Sequence, residues 1–255
     1  MFKAIRISFL LLVLLFVSVS TWLTQARSTD WDNSLYVKVY PINGDGSDIS
    51  KEYISKLELR HFSSIENFIT REVGRFGHDL TKPVRMELGS PITDQPPKLG
   101  KSPGALSVMW WSMKMRWWAN GVADDQDRVN PDVRIFVRYH SPQEEFVLEN
   151  SVGLQKGMVG IVNAYASRQY AGSNNVIIAH EFLHTLGATD KYDPTTGLPR
   201  YPDGYAEPGR KPLYPQRFAE IMGGRIAQSD DDAIIPQSLK YAIIGDETAT
   251  EIQLR

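Results

Sequence analysis

Two histidines four residues apart, His180 and His184, with Glu181 between them and Gly187 soon after, constrain this chain more than any other stretch. On a helix, positions i and i+4 lie on one face, one turn above each other. The two imidazoles then converge on one small cation, and zinc is the usual partner of paired imidazoles with an oxygen ligand. Glu181 stands beside the first histidine, within reach of a water on that cation. Neighbouring residues support the helix. Ser173 or Asn174 is expected to cap its start, both being types favoured there. Ile178, Phe182 and Leu186 recur every four residues, about 200° round the helix from the histidines at roughly 100° per residue. One face is therefore apolar and packs on a core, while the opposite face carries the histidines. Gly187 can adopt a left-handed conformation, ending the helix and turning the chain back.

Two histidines leave a catalytic zinc short of protein ligands. No histidine follows His184, so a downstream third ligand must be a carboxylate: Asp190, Asp193 or the more distant Glu220. Were the helix to continue, Asp190 would lie about 9 Å further along the axis and point elsewhere. A turn at Gly187 removes that obstacle. The spacing from His184 through Gly187 to Asp190 then fits a ligand loop, whereas Asp193 needs another turn.

The 255 residues carry 42% hydrophobic side chains, enough for a globular core, and a formal net charge of −2. That charge, with no basic stripe, gives no signal for nucleic acid. The absence of cysteine excludes disulfides, thiolate zinc ligands and a cysteine nucleophile. Residues 1–26 read as a targeting segment: Lys3 and Arg6, then an apolar run from Phe9 to Val17, then Thr24-Gln25-Ala26 before Arg27. The short run suits a signal peptide. The lack of charge between Arg6 and Arg27, with Trp22 near the far end, favours an uncleaved signal anchor through residues 7–26. In both cases the bulk of the chain is extracytoplasmic, tethered to the membrane or secreted.

Residues 27–255 read as a single α/β (α+β) domain. Strands are expected at Leu35 to Ile42, Val84 to Leu88, Asp132 to Tyr139 and Gly157 to Ala166. Helices are expected at Ile54 to Phe76, Ala105 to Trp118 and Ile234 to Ile244. Pro91 to Gly104 is a loop, and Ala188 to Phe218 is a long proline-rich segment. Beside a metal site, such a segment is expected to wall a substrate cleft. Trp110 and Trp111 recur one heptad later as Trp117 and Trp118, a shared face expected to pack on the sheet or to hold a partner. His61, His78 and His140 have no metal-ligand spacing and read as surface or hydrogen-bonded side chains. Ser229 to Asp232 reads as a solvated loop or helix start.

His180 to Asp190 resembles the H-E-x-x-H-x-x-G-x-x-H/D signature of the metzincin zinc proteases, in its aspartate form. Ile221-Met222-Gly223 looks like the methionine turn beneath the zinc in that clan, and the whole is similar to snapalysin-like small neutral proteases. The match covers two short stretches of the C-terminal half. The chain departs from the family in its longer proline-rich segment and in lacking a cysteine switch or a clear pro-domain. The resemblance implies a zincin-like fold: a mixed twisted sheet, a zinc-binding active-site helix, and a C-terminal helix after the methionine turn. It implies Zn2+ held by His180, His184 and Asp190 above Met222, with Glu181 as general base. The implied activity is that of a zinc metalloendopeptidase cleaving a protein or peptide substrate. Strand Gly157 to Ala166 is expected to pair with extended substrate. Tyr192, Tyr205 or Tyr214 is expected to donate to the oxyanion. Other readings of the same residues are a zinc amidase or other hydrolase on a cell-envelope polymer, or a catalytically inactive binding module.

Overall fold

Alternation along the strands decides the architecture. Leu35, Val37 and Val39 enter one core, whereas Tyr40 and Ile42 enter a second. Val133, Ile135, Val137 and Tyr139 repeat the first face, and Phe136 the second. A sheet whose strands are apolar on both faces must be covered on both. The computed structural model describes residues 29–100, 104–123, 130–142, 151–155 and 157–255, with isolated positions 6, 7, 9, 11, 12 and 15. In chain order the main elements are β1 (Leu35–Asn43), α1 (Asp48–Ser55), α2 (Ser63–Arg75), β2 (Val84–Leu88), α3 (Ala105–Ala123), β3 (Val133–His140), β4 (Val152–Leu154), β5 (Val159–Tyr165) and α4 (Ala171–Leu186). The short strands β6 (Ala219–Glu220), β7 (Ile226–Ala227), β8 (Ala233–Ile234) and β9 (Ala242–Ile243) follow, then α5 (Asp246–Glu251).

The chain is a mixed α/β structure. Its five-stranded sheet runs β2-β1-β3-β5-β4. The first four strands in that order are parallel, and β4 lies antiparallel to β5 at the outer edge. Side chains of α1, α2 and α4 share the larger core with one face of the sheet. Met115 and Ala119 of α3 cover Tyr40, Phe136 and Ile161 on the other. Expected elements outside the described residues include most of the 1–26 targeting segment. Among the described residues, no helix is long and apolar enough to cross a membrane.

Several expectations change. The single helix over 54–76 is broken. Helix α1 starts earlier, at a Ser47 cap, and ends at Lys56, and Glu58 and His61 then cap each other across a short 3-10 turn before α2. The expected final helix at Ile234 to Ile244 is absent, because Ala242 and Ile243 are drawn into pairing with Ala219 and Glu220. The C-terminal helix is Asp246–Glu251 instead. Helix α4 begins at Ala171, so Ser173 and Asn174 lie inside its first turn. Asn174 bonds both backbone groups of Tyr165, tying the helix to the end of β5. The four tryptophans of α3 do not share a face, since consecutive helical residues diverge by roughly 100°. Trp118 packs against Phe136 with ring centroids 4.7 Å apart, and Trp111 donates to the Pro97 carbonyl. Trp110 and Trp117 are exposed. His140 and His78 are hydrogen-bonded to Asn163 and to the Leu254 carbonyl, as such side chains were expected to be. Ser229 to Asp232 forms the turn between β7 and β8.

Candidate metal centre

The apolar row of α4 behaves as its spacing demands: Ile178, Phe182 and Leu186 are fully buried in the larger core. Each such burial stabilises by about 1.5–3 kcal/mol, so the helix is held by the face opposite its histidines. It ends at Gly187, whose φ of 111° is left-handed. The Gly187 and Ala188 N–H groups donate back to the His184 and Leu183 carbonyls. The chain reverses there and brings Asp190 under the helix.

Asp190 Oδ1 stands 3.1 Å from His180 Nε2 and 3.1 Å from His184 Nε2. The other ring nitrogens are both committed. His180 Nδ1 donates to the Ile221 carbonyl at 2.9 Å, and His184 Nδ1 to the Ala188 carbonyl at 2.7 Å. A carbonyl can only accept, so each Nδ1 carries a proton, and in the neutral ring each Nε2 turns a lone pair inward. Three acceptor atoms then face one another, an arrangement that needs a proton or a cation between them. His180, Glu181 and His184 form a group that could hold a metal ion, with one ligand atom from each lying within 4.8 Å of the others. Glu181 is buried and its Oε2 has no hydrogen-bond partner. The donor set suits zinc. Bonds of about 2.0–2.2 Å in a tetrahedral site separate ligand atoms by roughly 3.3–3.6 Å. The 3.1 Å separations about Asp190 come close to that.

Electrostatics follow the same geometry. Burial lowers the proton affinity of His180, but Asp190, Glu181 and the Ile221 carbonyl outweigh it and hold the imidazole above its ordinary value. Burial raises Asp190, yet its bonds to both histidines hold it well below the usual carboxylate range. Burial dominates at Glu181 and pushes it up, against the histidines and the Gly153 backbone.

Two other carboxylates considered as ligands are engaged elsewhere. Asp193 caps the Thr195 and Thr196 N–H groups. Glu220 is fully buried and accepts from the Gly223 and Gly245 N–H groups and the Thr248 hydroxyl. It locks the turn that contains Met222. That turn serves the site twice: Ile221 orients His180, and the Met222 carbonyl accepts from the Lys191 N–H beside Asp190. Met222 itself is fully buried in the larger core. On the far side of the loop that carries Asp190, Glu251 of α5 accepts from the Thr189 N–H at 2.9 Å and pairs with Lys191 at 2.7 Å. No sequence pattern marked this clamp, which joins residues some sixty positions apart.

The site opens into a cleft of about 780 Å³, lined by Ser151 and Val152, by Glu181 and its helix, by Tyr192 and residues 194–197, and by Ile221 and residues 223–225. The proline-rich segment thus contributes one wall, as expected. Tyr192 lies beside the centre, with its ring centroid 6.3 Å from that of His180. Burial, with the charges of Asp190 and Glu181, keeps its phenol above its ordinary value and so protonated at neutral pH. Tyr205 and Tyr214 bond each other at 2.7 Å and do not line the cleft.

The expected role of strand β5 at the substrate edge is corrected for its first half: β3 pairs along β5, and β4 covers its other side at residues 159–161. The outer strand is β4, which three residues were too few to reveal by alternation. Gly153 at its centre lies against α4 so closely that a Cβ there would fall 2.3 Å from His184 Cβ. Neither protein-family models nor curated proteins match the chain.

Proposed function

We propose that this protein is a zinc-dependent metalloendopeptidase of the metzincin type, acting outside the cytoplasm on protein or peptide. One observation carries the reading: two Nε2 atoms and one carboxylate oxygen converge beside a buried carboxylate whose Oε2 has no hydrogen-bond partner. In this reading His180, His184 and Asp190 hold the metal, and Met222 lies in the turn beneath it. When bound, zinc supplies a Lewis acid and lowers the pKa of a water to about 7. Glu181 accepts the proton of the attacking water and returns it to the leaving amine. Its burial raises its proton affinity towards the working range of a general base. Tyr192, held protonated, donates its phenol to the oxyanion that develops on the scissile carbonyl. Among the described residues β4 pairs only with β5. In this reading extended substrate adds as a strand along its other edge.

Glu181→Gln tests the mechanism. The amide keeps the volume and leaves all three metal ligands in place, but it cannot accept the water's proton. The variant is expected to bind zinc as wild type does and to lose all but about 1% of hydrolysis of a mixed peptide library, general-base catalysis contributing about 10²–10⁴-fold. Near wild-type cleavage by that variant refutes the role of Glu181. A second reading, a binding module on the same metal site, is favoured by the exposure of Trp110 and Trp117. Zinc binding by wild type with no cleavage of the library supports that reading instead.

A further inference from the structure

One charged group in the cleft has no part in the chemistry above. Arg225 is the sole lysine or arginine among the lining residues. Its guanidinium lies against the backbone of Gly197, where an added Cβ would stand 3.4 Å from Nη2 and 3.5 Å from Cζ. The preceding Gly224 has a φ of +72°, and a Cβ there would meet the Tyr192 ring at 4.0 Å. Tyr192 in turn faces His180. Arg225 therefore belongs to the wall that adjoins the metal centre.

Its surroundings are unlike those of the nearby arginines. Arg217 and Arg210 both pair with Glu207, and Arg200 donates to the Asp190 carbonyl. Arg225 makes no hydrogen bond, ion pair or ring contact with any described residue, although it is partly buried. A guanidinium presents five donors in a planar fork that matches a carboxylate bidentately. Placed in a cleft and left unpaired, it gains most from a ligand that brings the missing acceptor.

We propose that Arg225 is the specificity-determining residue of this cleft and takes a carboxylate of the substrate within two residues of the cleaved bond. The inference rests on the peptidase reading above. An extended substrate advances about 3.3 Å per residue, so a wall adjoining His180 meets side chains close to the scissile bond. The carboxylate has two sources, an acidic side chain or the C-terminus of the substrate itself.

Two sets of peptides separate these sources. In the first, Glu and its isostere Gln alternate at each position near the cleaved bond, with every C-terminus amidated. In the second, side chains are neutral and the C-terminus is free or amidated. Zinc-loaded wild type is expected to prefer the carboxylate in one set by about tenfold or more in kcat/KM. Arg225→Gln should bring that ratio close to one, and Arg225→Glu should invert it. The same discrimination should appear in calorimetric binding to Glu181→Gln, which turns no substrate over. Equal kcat/KM for Glu and Gln, and for free and amidated ends, overturns the proposal without any variant having to fold. So does a preference that survives in Arg225→Gln. Cleavage without discrimination removes this inference alone. Zinc binding with no cleavage and no peptide binding removes the peptidase reading, and this inference with it.

Discussion

Gly153→Ala probes the contact between the edge strand and the metal helix. An added Cβ would stand 2.3 Å from His184 Cβ and 2.7 Å from the Glu181 carbonyl oxygen. Carbon atoms rest about 3.5–4.0 Å apart, so the structure must yield by more than about 1 Å. Neither neighbour is the end of a flexible side chain: both are fixed to the backbone of α4, whose opposite face is locked in the core. The strand must lift or the helix must shift, and either movement displaces Glu181 or His184. Overpacking of this kind costs about 1–3 kcal/mol. In a chain of this size each kcal/mol lowers Tm by roughly 2–4 °C. A displacement near 1 Å at the reacting groups costs on the order of 10² in rate. Thermal unfolding with and without zinc, a zinc titration and peptide turnover read the three effects. Gly209→Ala is the control, since nothing lies within 4 Å of its added Cβ. If Gly153→Ala melts with wild type and binds zinc with unchanged affinity, β4 does not press on the metal helix and the reasoning fails.

Asp190→Ala is expected to weaken zinc binding by more than the roughly 10–100-fold typical of an outer-shell change, with the apo fold retained. Glu220→Ala should do the reverse, leaving the ligands in place but lowering Tm, because each orphaned N–H or hydroxyl costs about 1–3 kcal/mol. Isothermal titration and melting of both variants check this, and the opposite pattern would make Glu220 the ligand. Asp45 offers a pH test: burial nudges it up, but the Ser141 and Ser47 groups bonded to it hold it below the usual carboxylate range. A depressed folded pKa stabilises above the unfolded value and is lost as pH falls through the folded one. The Tm deficit of Asp45→Ala should therefore be full at pH 7 and shrink below about pH 4. A deficit independent of pH counts against the ionised cap.

The helix of the candidate metal centre was legible because its information is local. His180 and His184 share a face by helical geometry alone, Gly187 ends the helix by its own backbone freedom, and Asp190 follows as soon as the chain reverses. The four long strands were legible for the same reason, since each carries its apolar pattern within itself. The expected final helix failed because pairing across the chain overrode a weak local pattern: β9 is held by β6, and Gly245 by Glu220. Tryptophan spacing placed the four rings on one helix but not which of them faced the sheet.

The sequence by itself thus determined which atoms meet at the centre, because a helix and one glycine turn fix their relative positions within eleven residues, from His180 to Asp190. What surrounds that centre was decided only by tertiary structure. The outer strand β4 is too short to carry a period, and Gly153 shows its purpose only when a helix lies against it. Glu251 reaches the loop that carries Asp190 from α5, and Ile221 orients His180 from 41 positions away. Tyr192 is distinguished from Tyr205 and Tyr214 by the pairing of the latter two. Such contacts are set by how layers pack, and no local preference of the residues involved encodes their partners.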